Sequence, residues 1–375
     1  LDVFINNNLA HYHKSRNYDY GTNDRRNVSQ ISKYTTHRIL FEYEIIEKLI
    51  PVDKKKKFTD EILWRIYWKG YLENYKSIWD EYKSSKKLSY DKNILNKALK
   101  GDSGIECFDT WIEELRANNY LHNHSRMWFA SIWIFTMKLP WQLGARFFMK
   151  HLFDGDAASN TLSWRWIAGL HTNKKPYIAS QENINKYTAN RFRKSYINKP
   201  FQINKIENNP YQSNEIPTQK IFPTSNFIFM FDNDLSIHNR SKLFNRYAKV
   251  YIIYNQIIEN SFSLSPNVSK FKLDLLYDVN RLIKDSEIIK STDLEVILKE
   301  LKSIDLIYPG VGSNLDIIKK LSRQYKIIIN FIYRDQDLIA WNSANKGFHK
   351  FKTKFYSINN LFNDKNKNTK PSKTK

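Results

Sequence analysis

The sequence predicts a multidomain α and α/β chain: an all-helical first half, then a doubly wound parallel sheet. Three observations predict it. Through about residue 195, apolar residues recur at three- and four-residue intervals, the period of helices packed on a core. From about residue 226, short runs rich in Val, Ile, Phe and Tyr alternate with helix-length stretches, the pattern of βαβ units. Between them, residues 196–225 are rich in Asn, Pro, Gln and Ser, keep neither period and read as a linker. At 375 residues two domains are expected. The division is therefore 1–195, linker 196–225, α/β domain 226–358 and a tail 359–375. That tail carries five Lys against one Asp and is expected to be disordered.

In the first half the helical pattern covers Glu42 to Leu49, Asp60 to Lys76, Cys107 to Asn118, His122 to Met137, Trp141 to Leu152 and Ala157 to Ala168. Pro140 stands just before Trp141, a favourable helix start. In the second half the strand-like runs begin at Phe227, Val250, Glu287, Asp305 and Lys326, with helices at 269–284, 293–302 and 314–324.

Composition limits the function classes. The chain is 41% hydrophobic and 15% aromatic, enough for a real core. The single Cys107 excludes a disulfide framework or a four-thiolate cluster within one chain, and fits a reducing, cytoplasmic setting. The longest apolar run, Met127 to Met137, is too short to span a bilayer, so no membrane role is expected. Net charge is +22 but evenly spread, +12 over residues 1–200 and +10 over 201–375. An Asn-, Ile- and Lys-rich composition explains that excess as well as a nucleic-acid partner does.

The chemistry concentrates in Tyr120-Leu-His-Asn-His-Ser-Arg-Met127 and Asp154-Gly-Asp-Ala-Ala-Ser-Asn-Thr-Leu-Ser-Trp-Arg-Trp166. Asn123, Arg126 and Met127 fall on one helix face, and Asp156, Asn160 and Trp164 on another. Polar groups inside aromatic segments are costly unless satisfied, so these segments read as the walls of a site. The competing reading makes Asp156 a helix cap and Arg126 a partner of a surface acid.

This set resembles the FAD-binding domain of the DNA photolyase/cryptochrome family over about residues 9 to 192. The resemblance implies that Arg126 and Asp154 pair beside the flavin ring, with Asp156 at its N3–H edge and Asn160 at N5. Asn27-Val-Ser-Gln-Ile-Ser-Lys-Tyr34 is similar to the family's phosphate-cradling segment, so Val28, Ser29, Ile31 and Ser32 would contact the cofactor. Asn123 belongs to the cofactor set, and Tyr12 and Arg16 match an earlier family element. Helix capping is the other role open to Ser29 and Ser32.

Glu61-Ile-Leu-Trp-Arg65 is similar to the family's Glu-x-x-Trp-Arg substrate element. With Met127 and Trp166, it would hold Glu61, Trp64 and Arg65 against a pyrimidine dimer, and Met127 favours the cyclobutane lesion. Trp164 and Trp141 match the first two members of the family's electron-transfer chain. The third falls on Leu88: either another residue such as Trp79 or Trp133 completes the route, or photoreduction is poor. His124 stands where photolyases often carry an Arg.

The second half is expected to be Rossmann-like. Phe229-Met-Phe-Asp-Asn-Asp-Leu235 and Phe348-His-Lys-Phe-Lys-Thr-Lys-Phe355 resemble the opening and closing elements of the family's antenna domain, here placed after the flavin domain. Pro309-Gly-Val-Gly-Ser-Asn314 offers a Gly-rich turn that could receive a phosphate or chromophore, although an ordinary strand-to-helix turn explains it too. The resemblance implies a light-driven carbon–carbon lyase, a deoxyribodipyrimidine photo-lyase. It would bind FAD and an unidentified antenna chromophore, no metal, and UV-damaged DNA as a monomer. The alternative is a cryptochrome-like blue-light photoreceptor with FAD and no repair.

Overall fold

A computed structural model describes residues 1–84, 88–171, 175–192, 211–217, 224–259 and 262–367. The first half is helical: α1 (Asp2–Asn7), α2 (Leu9–Ser15), α3 (Ser32–Thr36), α4 (Glu42–Leu49), α5 (Lys57–Asn74) and α6 (Ser77–Ser84). There follow α7 (Lys92–Lys100), α8 (Glu106–Asn118), α9 (Asn123–Ser131), α10 (Trp141–His151), α11 (Ala157–Ile167) and α12 (Gln181–Tyr187). The helix expected over 122–137 does not stay α-helical. It passes at Ile132–Thr136 into a wider π-turn, and Lys138 ends it at φ 55°. Trp111, Trp128, Trp133 and Trp164, all but fully buried, form the centre of this half.

The second half contains β1 (Phe227–Phe231), α13 (Ser241–Phe244), β2 (Lys249–Tyr254) and a small ribbon of β3 (Ile257–Glu259) with β4 (Phe262–Ser263). After these come α14 (Pro266–Leu282), β5 (Ser286–Lys290), α15 (Leu294–Lys299), β6 (Ser303–Ile307), α16 (Ser313–Tyr325) and β7 (Ile328–Ile332). The five main strands are parallel in the order β5-β2-β1-β6-β7, the doubly wound arrangement expected. Alternation in β1 sends Phe229 and Phe231 to one core and Ile228 and Met230 to the other. Helices covering both faces explain why the strand reads as an unbroken apolar run.

The chain then returns to the first half through α17 (Asp335–Trp341) and α18 (Phe348–Lys367). Ala344, Phe348, Phe351 and Phe355 belong to the helical core. The disordered tail expected from Asn359 is therefore corrected: α18 continues to Lys367, because a helix already nucleated and docked extends at little cost. Residues 193–195 and 368–375 lie outside the described residues, as do 196–210 and 218–223 of the expected linker. The described part, 211–217, runs against the helices: the Asn214 N–H donates to the Asn74 carbonyl at 2.7 Å and Ile216 is buried.

A seam of buried charge joins the halves. Arg38 donates to Glu42 of α4, to Asp234 after β1 and, through both terminal nitrogens, to Asp337 of α17 at 2.7 and 2.8 Å. Arg334 holds Asp234 in a two-pronged contact at 2.6 and 2.7 Å. These charges are buried but paired, the condition under which burial is tolerated.

Candidate functional site

Helices α2, α3, α5, α9, α10 and α11 enclose a cavity of about 550 Å³, within the range of small-molecule sites. Residues named from sequences far apart meet on its wall. Tyr12, Arg16, Val28, Ser29, Ile31, Ser32, Glu61, Trp64, Arg65, Asn123, Arg126, Met127, Asp154, Asn160, Trp164 and Trp166 all line it.

At its polar end Arg126 donates to Asp154 Oδ2 at 2.9 Å and to the Leu121 carbonyl at 2.9 Å. Burial alone would raise the Asp154 carboxyl, but the Arg126 charge outweighs it and holds the group below its usual range. Asp154 Oδ1, Ser159 Oγ and Trp164 Nε1 are buried without a hydrogen-bond partner. Buried polar atoms left open on a cavity wall fit a polar ligand that supplies the missing contacts. Asn160 donates its amide nitrogen to the Ala145 carbonyl at 2.8 Å, leaving its oxygen for a ligand.

Elsewhere on the lining Arg16 pairs with Glu61. Burial pushes the Glu61 carboxyl up from its ordinary value, and the Arg16 charge opposes it. The sequence named both residues without pairing them, because they lie on different helices. The mouth also includes His124, whose ring stacks on Trp128 at 4.8 Å while Nδ1 lies 2.8 Å from the Asn17 carbonyl.

Two residues named from the sequence stand beside this lining rather than in it. Asp156 caps α11: one oxygen accepts from the Ser159 N–H at 2.8 Å, the other from Arg65 at 2.8 Å. An aspartate at that position turns back over the first helical turn, whose free N–H groups need it. It acts through Arg65, which also donates to Thr36 Oγ1 at 2.7 Å. Trp141, expected as an electron-transfer residue next to Trp164 and not as a wall of the cavity, lies on α10, which presents Gly144 to the Trp164 ring. It stacks on Tyr82 at 5.7 Å, and Tyr82 lies 5.1 Å from Trp79. Leu88 contributes no ring, and Trp133 meets Trp164 edge-on at 6.3 Å. Capping by Ser29 or Ser32 is not seen: Ile31 occupies the cap position of α3 without a side-chain bond.

Residues the sequence reading missed include Tyr120, Trp68 and Phe148 on the same wall. Tyr120 lies between two guanidinium groups, Arg126 at 5.4 Å and Arg25 at 5.5 Å from its ring centre. Its position six residues before Arg126 was the available signal, but only the bend before α9 brings the two together.

The Gly-rich turn lies between β6 and α16, at the crossover of the sheet where such folds bind ligands. The Val311 N–H donates to Glu73 Oε1 at 2.8 Å, and the Tyr308 hydroxyl to Oε2 at 2.7 Å. A carboxylate of α5 thus takes the anion position of the turn. The space left beside it is about 110 Å³, well below a nucleotide site.

Residues 58–211 match the family model described as the FAD binding domain of DNA photolyase. A deoxyribodipyrimidine photo-lyase of Buchnera aphidicola is 32% identical over 158 residues, covering 40% of this chain and 32% of the relative. That of Salmonella typhimurium is 29% identical over 126 residues, covering 32% and 27%. The chain spans about a third of the length of these relatives. Among solved structures, a class III photolyase of Agrobacterium tumefaciens aligns at a TM-score of 0.41 and 21% identity, covering 50% of this chain and 41% of its own. A Synechocystis cryptochrome aligns at 0.39 and 20%, covering 49% and 40%.

Proposed function

We propose that the helical half, of which residues from 58 onward match the FAD binding domain of DNA photolyase, binds FAD, and that this protein repairs cyclobutane pyrimidine dimers in UV-damaged DNA using light. One observation carries the reading: Glu61, Trp64, Met127 and Trp166 share a cavity with the Arg126–Asp154 pair and Asn160. A flavin and a flipped-out pyrimidine pair would then share one space, each with its own set of side chains.

FAD, when bound and reduced, supplies the photoexcited electron that opens the cyclobutane ring and takes it back afterwards. The protein supplies position and field. Arg126, kept oriented by Asp154, would set a fixed positive charge beside a reduced, anionic flavin. Asp154 Oδ1 is an open acceptor for a ligand N–H or O–H. Asn160 offers a neutral amide oxygen. Glu61, whose carboxyl burial pushes up while Arg16 opposes it, offers a hydrogen-bonding group to a pyrimidine edge. Trp64 and Trp166 provide ring faces and Met127 a polarisable side chain against the dimer. Flipping costs less for a lesion that already stacks poorly.

The test is loss of dimers from an irradiated oligonucleotide under blue light, with flavin absorbance confirmed first. Repair is expected in the wild type, and Glu61→Ala should lower its yield at least tenfold while flavin remains bound. A flavin-loaded protein that leaves the dimers intact in light would instead be a blue-light photoreceptor.

A further inference from the structure

The C-terminal helices close on α5 in an antiparallel seam. Lys56 Nζ lies 4.6 Å from the Tyr356 ring centre. Asp60 pairs with Lys352 at 2.5 Å, and Tyr67 meets Phe351 at 5.5 Å. Gly70 allows the closest approach: a Cβ there would stand 2.7 Å from Ala344 and 2.8 Å from the Trp341 ring. Asn74 donates to the Trp341 carbonyl at 2.8 Å and Tyr75 to the Asn345 carbonyl at 3.0 Å. As α5 runs forward from 56 to 75, its partners run back from 356 to 341.

Trp64 stands in the middle of this seam and also lines the cavity. Its ring lies almost parallel to that of Phe348, 6° apart with centroids at 3.7 Å. So short a separation leaves no space for another ring on that face. Tyr67 meets Trp64 edge-on at 5.5 Å and Trp68 lies tilted at 5.0 Å, both from α5 itself. Phe348 is the partner contributed from outside α5. It is buried, and Tyr67 braces it in turn at 5.7 Å.

We propose that Phe348 is a positioning residue for substrate: stacked on one face of Trp64, it fixes the ring so that only the opposite face can receive a flipped-out pyrimidine. The start of α18 thereby backs one wall residue of the cavity without lining it. The inference rests on the reading of Trp64 as a lesion contact. An indole held by one residue-long side chain can swing about two torsions. A ring packed across its face removes that freedom before the substrate arrives, and preorganisation of this kind appears as affinity.

A double-mutant cycle tests it. Flavin-loaded wild type, F348A, W64A and the double variant are titrated in the dark against irradiated and unirradiated oligonucleotides, with flavin content and melting temperature recorded. F348A should weaken binding to irradiated DNA about threefold to tenfold, leave unirradiated DNA unaffected, and be rescued by F348Y. In the W64A background the same change should have less than about twofold effect, since the residue it positions is gone. F348L, which keeps volume and loses the ring, should behave as F348A and serves if F348A unfolds early. Equal losses with and without Trp64, or unchanged discrimination in both F348A and F348L, overturn the proposal alone. Failure of the wild type to prefer irradiated DNA overturns the repair reading and the proposal with it.

Discussion

His122 shows how one residue joins stability to the site. Its Nδ1 accepts from the His124 N–H at 3.2 Å, capping α9, the helix that carries Asn123 and Arg126. Burial lowers its pKa from 6.5 to about 4, with nearby Asp19 pulling upward and Arg25 downward. Because the folded value lies below the unfolded one, the neutral ring favours the folded state above pH 6.5, and that contribution is lost as pH falls towards 4. His122→Asn keeps a capping oxygen and does not titrate. Its unfolding free energy, followed by urea denaturation from pH 7.5 to 4.5, should fall less than that of the wild type by up to about 3 kcal/mol. At this scale most residues singled out in the sequence meet on one cavity, because they sit at helical spacing on the helices that line it. Asp156 caps the start of α11 beside them. The sequence could not pair Arg16 with Glu61, since that contact crosses two helices.

At the scale of elements, the crossing of α10 and α11 depends on Gly144. Glycine inside a helix costs about 1 kcal/mol relative to alanine, so its presence there implies a packing demand. A Cβ at Gly144 would stand 2.2 Å from the Trp164 ring, an overlap that requires the indole to move. Gly144→Ala should therefore lower unfolding free energy by about 1–3 kcal/mol despite its helix propensity, as thermal or urea melting would show. It should also displace a side chain that lines the cavity. The periodic apolar pattern made both helices legible, and their observed limits differ from the expected ones by a residue. The π-turn at 132–136 was not legible, because its residues satisfy the α-helical pattern equally well.

For the whole molecule, the buried charges between the halves should make them unfold together. Asp234 receives Arg334 and Arg38 and lies 3.6 Å from Arg240, which hold its carboxyl far below the usual range against the opposing effect of burial. Asp234→Asn leaves three buried guanidinium groups short of a counter-charge and should cost about 3–5 kcal/mol. Equilibrium urea unfolding should show one transition in both proteins, with the variant's midpoint shifted down; two separated transitions in the wild type would contradict a shared seam.

The local period of the chain by itself determined which stretches are helix and strand, the parallel sheet of the second half, and which residue types surround the cavity. Short-range physics suffices there, because helical faces repeat every few residues and strands alternate. Tertiary structure alone decided that α17 and α18 return to α5, that Glu73 takes the anion position at the Gly-rich turn, and that Phe348 covers one face of Trp64. Those partners lie more than two hundred residues apart in sequence. No periodicity encodes such meetings: they follow from the path the chain takes and from the close approach that Gly70 allows.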